Sequence, residues 1–253
     1  MAKDAQEAQR LIAAHPHWYH QIEVAPGVVT PGVNDSQMVL EALQLPESLE
    51  GMRVLDIGAR DGFFSFECER RGAAEVVAID YLTPEETGFP IARELVGSQV
   101  QMRQANVYDL SPEEFGRFDL VLFLGVLYHL RDPMLALDRI AEIATGSVIV
   151  ETHAIDDAVL VGPDEFKPLA AISPELESIP IMQFYPGDSL NNDPSNAWAP
   201  NQACLRAMLE ESGFAVDREL RMGQRAIAFG HRTEDVERDF WRRRDRAVGR
   251  LGL

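Results

Sequence analysis

VLDIGARDG, residues 54–62, is the stretch that decides the fold of this chain. An apolar run ends in an aspartate and then reaches Gly58 and Gly62, and a segment of helical length follows. Glycine lets a backbone approach a ligand closely, and the first amides of a helix are free to bind a negative group. The stretch therefore predicts a strand, a ligand-binding turn and a helix.

Three later segments repeat the apolar part of this design. They are EVVAID at 75–80, DLVLFLG at 119–125 and SVIVET at 147–152, and helix-length segments separate them. Strands of a parallel sheet have such continuous apolar runs because both faces of the sheet are covered. With a strand before Gln104 and two strands around the turn at 222–223, the sequence predicts an α/β fold. We expect a Rossmann-like, doubly wound, mostly parallel seven-stranded sheet with an antiparallel C-terminal hairpin.

Helix signals divide the chain further. Residues 3–14, 63–72 and 201–214 have helical patterns, and in the segment 133–144 Asp132 can cap the helix while Pro133 fits its first position. We expect an N-terminal helical lid at 1–50 and a main domain at 51–230. Within that domain, the proline-rich residues 153–200 are predicted to be an insertion that covers the active site, and an Arg-rich tail follows at 231–253.

The charge of the chain limits the kinds of partner that it can bind. Its 41 acidic and 23 basic residues give a net charge of −18, which repels a phosphate backbone. Residues 232–253 hold seven of the arginines, so a nucleic-acid contact, a solvated helical face or an oligomer contact is open for that tail. Cys68 and Cys204 form no metal or redox motif, and no apolar run is long enough for a membrane span. We expect a cytoplasmic protein with no membrane contact, for which nucleic acid is an unfavourable partner and a homo-oligomer is possible.

A carboxylate follows the glycine turn at the end of the next strand. Asp80 ends the second strand 24 residues after Asp56, where an acid can bind two ribose hydroxyls. The spacing D-x-G-x-x-x-G differs from the G-x-G-x-x-G of dinucleotide sites. The sequence therefore favours adenosylmethionine over a nicotinamide dinucleotide. Asn106, after the third strand, is in place to contact the adenine edge.

With these residues the chain resembles the class I S-adenosylmethionine-dependent methyltransferases. VLDIGARDG, Asp80, ANVYDL at 105–110 and FDLVLFLGVLYHLRDP at 118–133 carry the resemblance, which is good over about 50–152 and extends to 230. GVLYHLRDP at 125–133 and VIVETHAID at 148–156 are most similar to the group that contains the tRNA wobble-uridine carboxymethyltransferases.

The resemblance implies a cofactor site for S-adenosylmethionine, with S-adenosylhomocysteine as product. Its implied cofactor-binding residues are Asp56, Gly58, Ala59, Gly62, Asp80, Tyr81, Asn106, Val107 and Leu124. The glycine turn would hold the methionine part, Asp80 the ribose, and Asn106 and Val107 the adenine. Arg60 stands where the family usually has a small residue. The carboxymethyltransferases hold a carboxylated donor with a lysine, a tyrosine and an arginine, and Tyr128 and Arg225 match the last two.

Methyl transfer needs an in-line approach and a base where the acceptor loses a proton. His129, Tyr128 and His153 are the catalytic candidates, with His129 as the best base because neutral imidazole accepts a proton near pH 7. Holding the turn after the strand is an equally good interpretation of His129. The predicted substrate-binding residues are Trp18, Tyr19, His20, Tyr185, Asn191, Trp198 and Arg225. Trp18 and Trp198 could instead seal the edge of the core.

His15, His17 and His20 are close in sequence, but no carboxylate or cysteine stands at ligand spacing, and we predict no metal. We expect a methyltransferase that acts on an oxygen, nitrogen or carbon atom of a small-molecule metabolite. The alternatives are a tRNA wobble-uridine (carboxy)methyltransferase and a non-catalytic adenosylmethionine-binding scaffold.

Overall fold

The computed structural model of the chain describes residues 5–233, which form eight α-helices and thirteen strands. The helices are α1 (Ala5–Ala14), α2 (Ser36–Leu43), α3 (Phe63–Arg70), α4 (Phe89–Val96), α5 (Pro112–Phe115), α6 (Pro133–Ile143), α7 (Leu169–Ile172) and α8 (Gln202–Glu211). The strands are β1 (Glu23–Ala25), β2 (Val28–Val29), β3 (Arg53–Ile57), β4 (Glu75–Asp80), β5 (Gln101–Gln104), β6 (Phe118–Leu124), β7 (Ala144–His153), β8 (Val159–Gly162), β9 (Glu165–Lys167), β10 (Met182–Phe184), β11 (Trp198–Pro200), β12 (Phe214–Met222) and β13 (Arg225–Arg232).

Seven strands form the central sheet, in the order β12-β13-β7-β6-β3-β4-β5. The five strands from β7 to β5 are parallel, and β13 and β12 continue the sheet in antiparallel pairing. The predicted fold class and its C-terminal hairpin are confirmed. The chain winds outward from β3 to β5 and then returns to place β6 on the other side of β3. Ligands bind at such a switch point, outside the carboxyl ends of the strands.

Alternating side chains of the strands fill two cores. Leu55 and Ile57 of β3 pack with α6 and α8 on one face, while Val54 packs with α2 and α3 on the other. Asp56 lies on the same face of the strand as Val54, because successive side chains of a strand point to opposite faces. This alternation places a buried carboxyl group against α3.

The start of α6 differs in one detail from the sequence prediction. Pro133 is its first residue and Asp132 is at the N-cap position, but the Asp132 side chain makes no capping hydrogen bond within residues 5–233. Instead, the backbone N–H of Asp132 donates to the hydroxyl of Tyr108 at 3.0 Å. The predicted capping by the Asp132 side chain is therefore wrong, because that residue is held through its backbone.

The N-terminal segment packs beside the sheet. α1 and β1 lie against α4, and β2 lies against α1 and β1. Their apolar side chains form a third core with Ala59 of the glycine turn. Trp18 is buried in this core and donates from Nε1 to the carbonyl of Ile12 at 3.1 Å. The segment before β3 therefore reaches the edge of the sheet where β3 ends.

Residues 154–201 form the insertion between β7 and α8. It contains the hairpin β8–β9, the short α7 and the two-stranded sheet β10–β11. At its end, the buried side chain of Asn201 donates to the carbonyls of Leu176 and Ile179 and accepts from the amides of Ile181 and Cys204. At its start, the amide of Ala154 donates to the carbonyl of Gln224 at 2.8 Å. Both ends of the insertion are therefore fixed to the main domain.

None of the helices formed by residues 5–233 is long and apolar enough to cross a membrane. The predicted Arg-rich tail at 231–253 lies almost entirely outside the described residues.

Candidate active site

The glycine turn after β3 is fixed by its neighbours. The amides of Gly58 and Ala59 both donate to the carbonyl of Ile79 in β4, at 2.8 and 3.0 Å. Gly58 has φ +79°, and a Cβ atom there would lie 2.3 Å from Cγ2 of Val126. Only glycine satisfies both conditions without displacing the segment after β6. The turn therefore lies against the ends of both neighbouring strands.

Asp80 holds the same turn from β4. One oxygen of its buried carboxylate accepts the amide of Arg60 and the other accepts the amide of Leu82, each at 3.0 Å. Burial raises the pKa of Asp80, and these hydrogen bonds and the charge of Arg60 oppose the rise. Each carboxylate oxygen can accept more than one hydrogen bond. Asp80 thus organises the loop and keeps acceptor capacity for a ribose, as the carboxylate of a nucleoside site requires.

Tyr81 lies directly beyond this carboxylate. Its side chain is 70% exposed, although it is a large aromatic ring at the end of a buried strand. Gln104 fixes its backbone by donating from Nε2 to the Tyr81 carbonyl at 3.0 Å. Asn106 accepts the amide of Tyr108, and Val107 is buried beside it. An exposed ring next to the Asp80 carboxylate fits the adenosine part of S-adenosylmethionine, whose planar base can cover it.

Asp56 is turned away from this edge. Its carboxyl group is buried and accepts the hydroxyl of Ser65 in α3 at 2.5 Å. Burial raises the pKa of Asp56 to about 6, and the Ser65 hydrogen bond only partly offsets this rise. The contact joins β3 to α3 and so orients the turn indirectly.

Asp61, which the sequence analysis did not single out, joins the N-terminal segment to the glycine turn. Its carboxylate is 1% exposed and accepts three backbone amides: Tyr19 at 2.7 Å, His20 at 2.8 Å and Gly88 at 2.8 Å. A carboxylate that accepts several amides is held tightly. The signal was present in the sequence, because Asp61 is a second acid inside the turn at 54–62.

The N-terminal segment brings Tyr19 to the strand ends. The guanidinium of Arg60 lies 5.5 Å from the centroid of the Tyr19 ring. Burial raises the pKa of Tyr19, with further electrostatic effects from Tyr128, Arg225 and Glu151. His20 is buried beside it, and burial lowers the pKa of His20 to about 4. Tyr19 is therefore near the predicted catalytic residues, although it comes from the opposite end of the chain.

Tyr128 and His129 lie in the single helical turn Leu127–His129 that follows β6. Their ring centroids are 4.0 Å apart. Leu124 and Gly125 come just before, and the Gly125 amide donates to the carbonyl of Glu151 at 2.9 Å. The turn therefore lies at the carboxyl ends of β6 and β7, beside the glycine turn of β3.

Arg225 and Glu151 form an ion pair next to Tyr128. The guanidinium donates to both oxygens of the Glu151 carboxylate, one of them at 2.6 Å, and lies 4.8 Å from the centroid of the Tyr128 ring. Glu151, at the end of SVIVET, had no predicted role. A carboxylate at the end of an apolar strand needs a partner, and the register pairs this strand end with the start of β13.

The insertion contributes a second partner to this turn. Nδ1 of His129 lies 2.9 Å from the hydroxyl of Ser195, which lies 2.6 Å from a carboxylate oxygen of Asp193. Burial lowers the pKa of His129, while Asp193 and Ser195 raise it and Arg225 and Arg60 lower it further. The imidazole is therefore neutral near pH 7.

His153 and Tyr185 add two buried polar groups near Tyr128. The His153 ring centroid lies 6.2 Å from those of both Tyr128 and Tyr185. His153 is 4% exposed and Tyr185 2%, yet Nε2 of His153 and the hydroxyl of Tyr185 find no hydrogen-bond partner among residues 5–233. Burial, followed by the charge of Arg225, lowers the pKa of His153 to about 4. Burial raises the pKa of Tyr185 to about 12.

The remaining predicted substrate residues are more dispersed. Trp18 packs in the core against Gly88, which agrees with the alternative that Trp18 seals the edge of the core. The Trp198 ring lies 4.7 Å from the Phe184 ring, centroid to centroid, and its Nε1 donates to the carbonyl of Arg131 at 3.3 Å. Asn191 is exposed with φ +58°, in a turn of the insertion.

The histidines of the N-terminal segment do not converge. Nε2 of His15 lies 3.0 Å from the backbone oxygen of His17, and the His20 ring packs on Phe63 and Phe64. In the described part of the chain, no three His, Cys, Asp or Glu side chains are arranged to hold a metal ion.

Fold and site together define a class I methyltransferase that uses S-adenosylmethionine as its cofactor. A model of the methyltransferase domain matches residues 36–219, and the chain belongs to this family.

Known proteins resemble different parts of the chain. A tRNA U34 carboxymethyltransferase of Actinobacillus succinogenes is 33% identical over 129 residues, which are 47% of this chain and 38% of that protein. The match thus spans well under half of this curated relative. The N-terminal domain of EvdMO1 with bound SAH shares the fold, with a TM-score of 0.64 and 22% identity over 91% of this chain and 98% of that one. The 1,6-didemethyltoxoflavin-N1-methyltransferase of Burkholderia thailandensis has a TM-score of 0.53 at 18% identity, and the match covers 79% of this chain and 76% of that one.

Proposed function

We propose that this chain transfers a methyl group from S-adenosylmethionine to an oxygen, nitrogen or carbon atom of a small-molecule metabolite, with His129 as the base. The arrangement favours an acceptor that must lose a proton, such as a hydroxyl group. The observation that carries this proposal is the neutral, half-buried imidazole of His129 at the strand ends. It lies beside Tyr128, where the glycine turn, the N-terminal segment and the insertion meet.

The cofactor residues divide between four strand ends. Gly58, Ala59 and Gly62 would hold the methionine part with Leu124, and Asp80 would bind the ribose. Tyr81, Asn106 and Val107 would contact the adenine. Asp56 would act through Ser65 by fixing α3 behind the turn. When bound, S-adenosylmethionine supplies a methyl group that its sulfonium already activates, so the chain has to position the acceptor and remove its proton.

Two buried polar atoms support a small, polar acceptor. The unpartnered atoms belong to His153, whose ring centroid lies 6.2 Å from that of Tyr128, and to Tyr185 of the insertion. An unpaired polar atom in a buried position costs free energy, and a ligand that pairs with it recovers this cost. Tyr19 would close the site from the other side, while Trp198 and Asn191 would shape the outer part of the cover. The toxoflavin N1-methyltransferase, which has the same fold, is named for a small-molecule acceptor.

A second candidate is tRNA wobble-uridine carboxymethyl transfer. The similarity of part of this chain to a tRNA U34 carboxymethyltransferase favours it. Two observations oppose it. Arg225, the counterpart of the arginine that would hold a carboxylated donor, already has both oxygens of Glu151 as partners. The net charge of −18 is also unfavourable for an RNA backbone.

The test uses the purified full chain with methyl-labelled S-adenosylmethionine and a cell extract. Soluble small molecules are separated from acid-precipitable RNA, and the label is counted in each fraction. We expect label among the small molecules, where mass spectrometry identifies the acceptor. Label in RNA would overturn the proposal, and a preference for carboxy-S-adenosylmethionine as donor would favour the second candidate. A complete lack of transfer to either fraction would favour a non-catalytic binding protein.

Two variants connect the signal to the site. His129→Gln should lower turnover by about 10²–10⁴-fold with little change in cofactor binding, because a general base contributes in this range. His17→Ala is the matched control, since His17 is an exposed histidine of the N-terminal segment. Equal turnover of His129→Gln and the native chain would remove His129 from the mechanism.

A further inference from the structure

The contact between His129, Ser195 and Asp193 has a defined direction. Asp193 is an ionised acceptor, because the hydrogen bond from Ser195 lowers the pKa of its carboxyl group, and a carboxylate has no proton to donate. The single hydroxyl proton of Ser195 is therefore donated to Asp193, at 2.6 Å. The Ser195 oxygen can then only accept from Nδ1 of His129, 2.9 Å away. This places the imidazole proton on Nδ1 and leaves Nε2 as the basic nitrogen.

The segment that carries Ser195 is fixed by its neighbours. The amide of Ala197 donates to the carbonyl of Tyr128 at 2.8 Å, and Nε1 of Trp198 donates to the carbonyl of Arg131 at 3.3 Å. The amide of Ser195 donates to the same Asp193 oxygen that accepts its hydroxyl, at 2.9 Å. The hydroxyl group is thus held in place before any substrate arrives.

We propose that Ser195 and Asp193 are positioning residues that set the tautomer of His129, so that Nε2 is the atom that removes the acceptor's proton. The ring nitrogen that carries the proton is decided by the hydrogen bond of the other nitrogen. The catalytic part of this inference rests on the proposed function, whereas the tautomer does not. In the reaction, the acceptor oxygen gives its proton to Nε2 and bonds to the methyl carbon. The electron pair of the broken carbon–sulfur bond stays on sulfur.

The charged and titratable groups around His129 agree with this role. Asp193 comes from the insertion, Arg225 from β13, Arg60 from the glycine turn, and Tyr128 is the neighbour in the same turn. Asp193 stabilises the imidazolium that forms after proton transfer, while burial and then the two arginines lower the pKa of the ring and keep it neutral at rest. Loss of the Ser195 contact therefore weakens the interactions that favour the protonated ring.

The first test reads the tautomer by ¹⁵N NMR on protein labelled in its histidines. The His129 signals are assigned by their absence from His129→Gln. We expect a protonated Nδ1 and an unprotonated Nε2 at pH 7.5, retained in Ser195→Thr and lost in Ser195→Ala. Ser189→Ala, an exposed serine of the same insertion, is the control. A protonated Nε2 in the native chain, or an unchanged tautomer in Ser195→Ala, would overturn the proposal.

The second test measures kinetics with the acceptor found for the native chain. Ser195→Ala should lower kcat by at least about tenfold but by less than His129→Gln, with KM for S-adenosylmethionine unchanged. The acidic limb of the pH profile should move to lower pH, because Ser195 and Asp193 raise the pKa of His129. A loss of kcat without this movement would indicate a structural role only. The expected tautomer in a chain that transfers no methyl group would refute the proposed function and leave the tautomer assignment standing.

Discussion

Asp61→Ala should detach the N-terminal segment from the glycine turn. The native carboxylate accepts the amides of Tyr19, His20 and Gly88 at 2.7–2.8 Å and is almost completely buried. Alanine leaves all three amides without an acceptor. The variant should therefore lose stability and, in the same step, lose the cover over the strand ends.

The magnitude follows from the number of bonds. A hydrogen bond to a charged group contributes roughly 1.5–3 kcal/mol, so three of them would sum to more than about 4.5 kcal/mol if they were independent. They share one carboxylate, and water can reach the freed amides once the segment moves. We therefore expect a loss of about 3–5 kcal/mol in the free energy of unfolding.

Urea unfolding measures this loss, and limited proteolysis between residues 15 and 34 measures local opening of the segment. Asp188→Ala removes an exposed aspartate of the insertion and should stay within about 0.5 kcal/mol of the native chain. The stability loss of Asp61→Asn should lie between those of Asp61→Ala and Asp188→Ala. The asparagine amide group replaces one acceptor oxygen with a donor that faces another N–H. A change below about 1 kcal/mol in Asp61→Ala, with unaltered proteolysis, would refute the reasoning.

Three further changes test other contacts. Asp56→Asn should gain stability relative to the native chain as pH rises from about 4 to 6, by up to about 3 kcal/mol in urea titrations. Burial raises the pKa of the native carboxyl to about 6, so this group ionises at a higher pH in the folded chain than in the unfolded chain. A stability difference between the two proteins that does not vary with pH would contradict this. His153→Gln should remove part of the native loss of stability between pH 6.5 and 4. Burial lowers the pKa of His153 to about 4, so the unfolded chain protonates this histidine at a higher pH than the folded chain does. Parallel curves of stability against pH for the variant and the native chain would contradict this. Gly58→Ala should cost about 1–3 kcal/mol through the contact with Val126, and Val126→Ala should recover part of it; additive losses in a double-mutant cycle would show that the clash is absent.

The sheet was predictable because its information is local. Four of the five parallel strands carry an apolar run such as 75–80 or 119–125, and such runs fit a sheet covered on both faces. The glycine turn and Asp80 were equally visible, since a turn with positive φ and an acid at the next strand end depend on nearby residues. The fold could therefore be read from the strand runs of the sequence, and the turn at its ligand-binding edge from residues 54–80.

The contacts that complete the site were not predictable, because they join distant parts of the chain. Asp61 meets Tyr19 across 42 residues, His129 meets Ser195 across 66, and Glu151 meets Arg225 across 74. Each of these pairs depends on how a loop packs on the finished sheet. A serine or an aspartate in a proline-rich segment is typical of a solvated turn, and nothing in 153–200 distinguishes Ser195 from its neighbours.

The hydrogen bonds of Asn201 influence how the insertion of such a protein can change. Its four hydrogen bonds fix one end of the insertion, and the backbone contact of Ala154 fixes the other, so the sheet sets the distance between the two ends. The entropy cost of closing a loop grows slowly, by about 0.6 kcal/mol for each doubling of its length. The residues between these two points, apart from the partners of Asn201 at 176–181, can therefore be lengthened, shortened or replaced without disturbing the central sheet. A graft between 185 and 196 keeps those partners and is thus a route to new acceptors on an unchanged methyl-transfer domain, provided that it brings its own partner for His129.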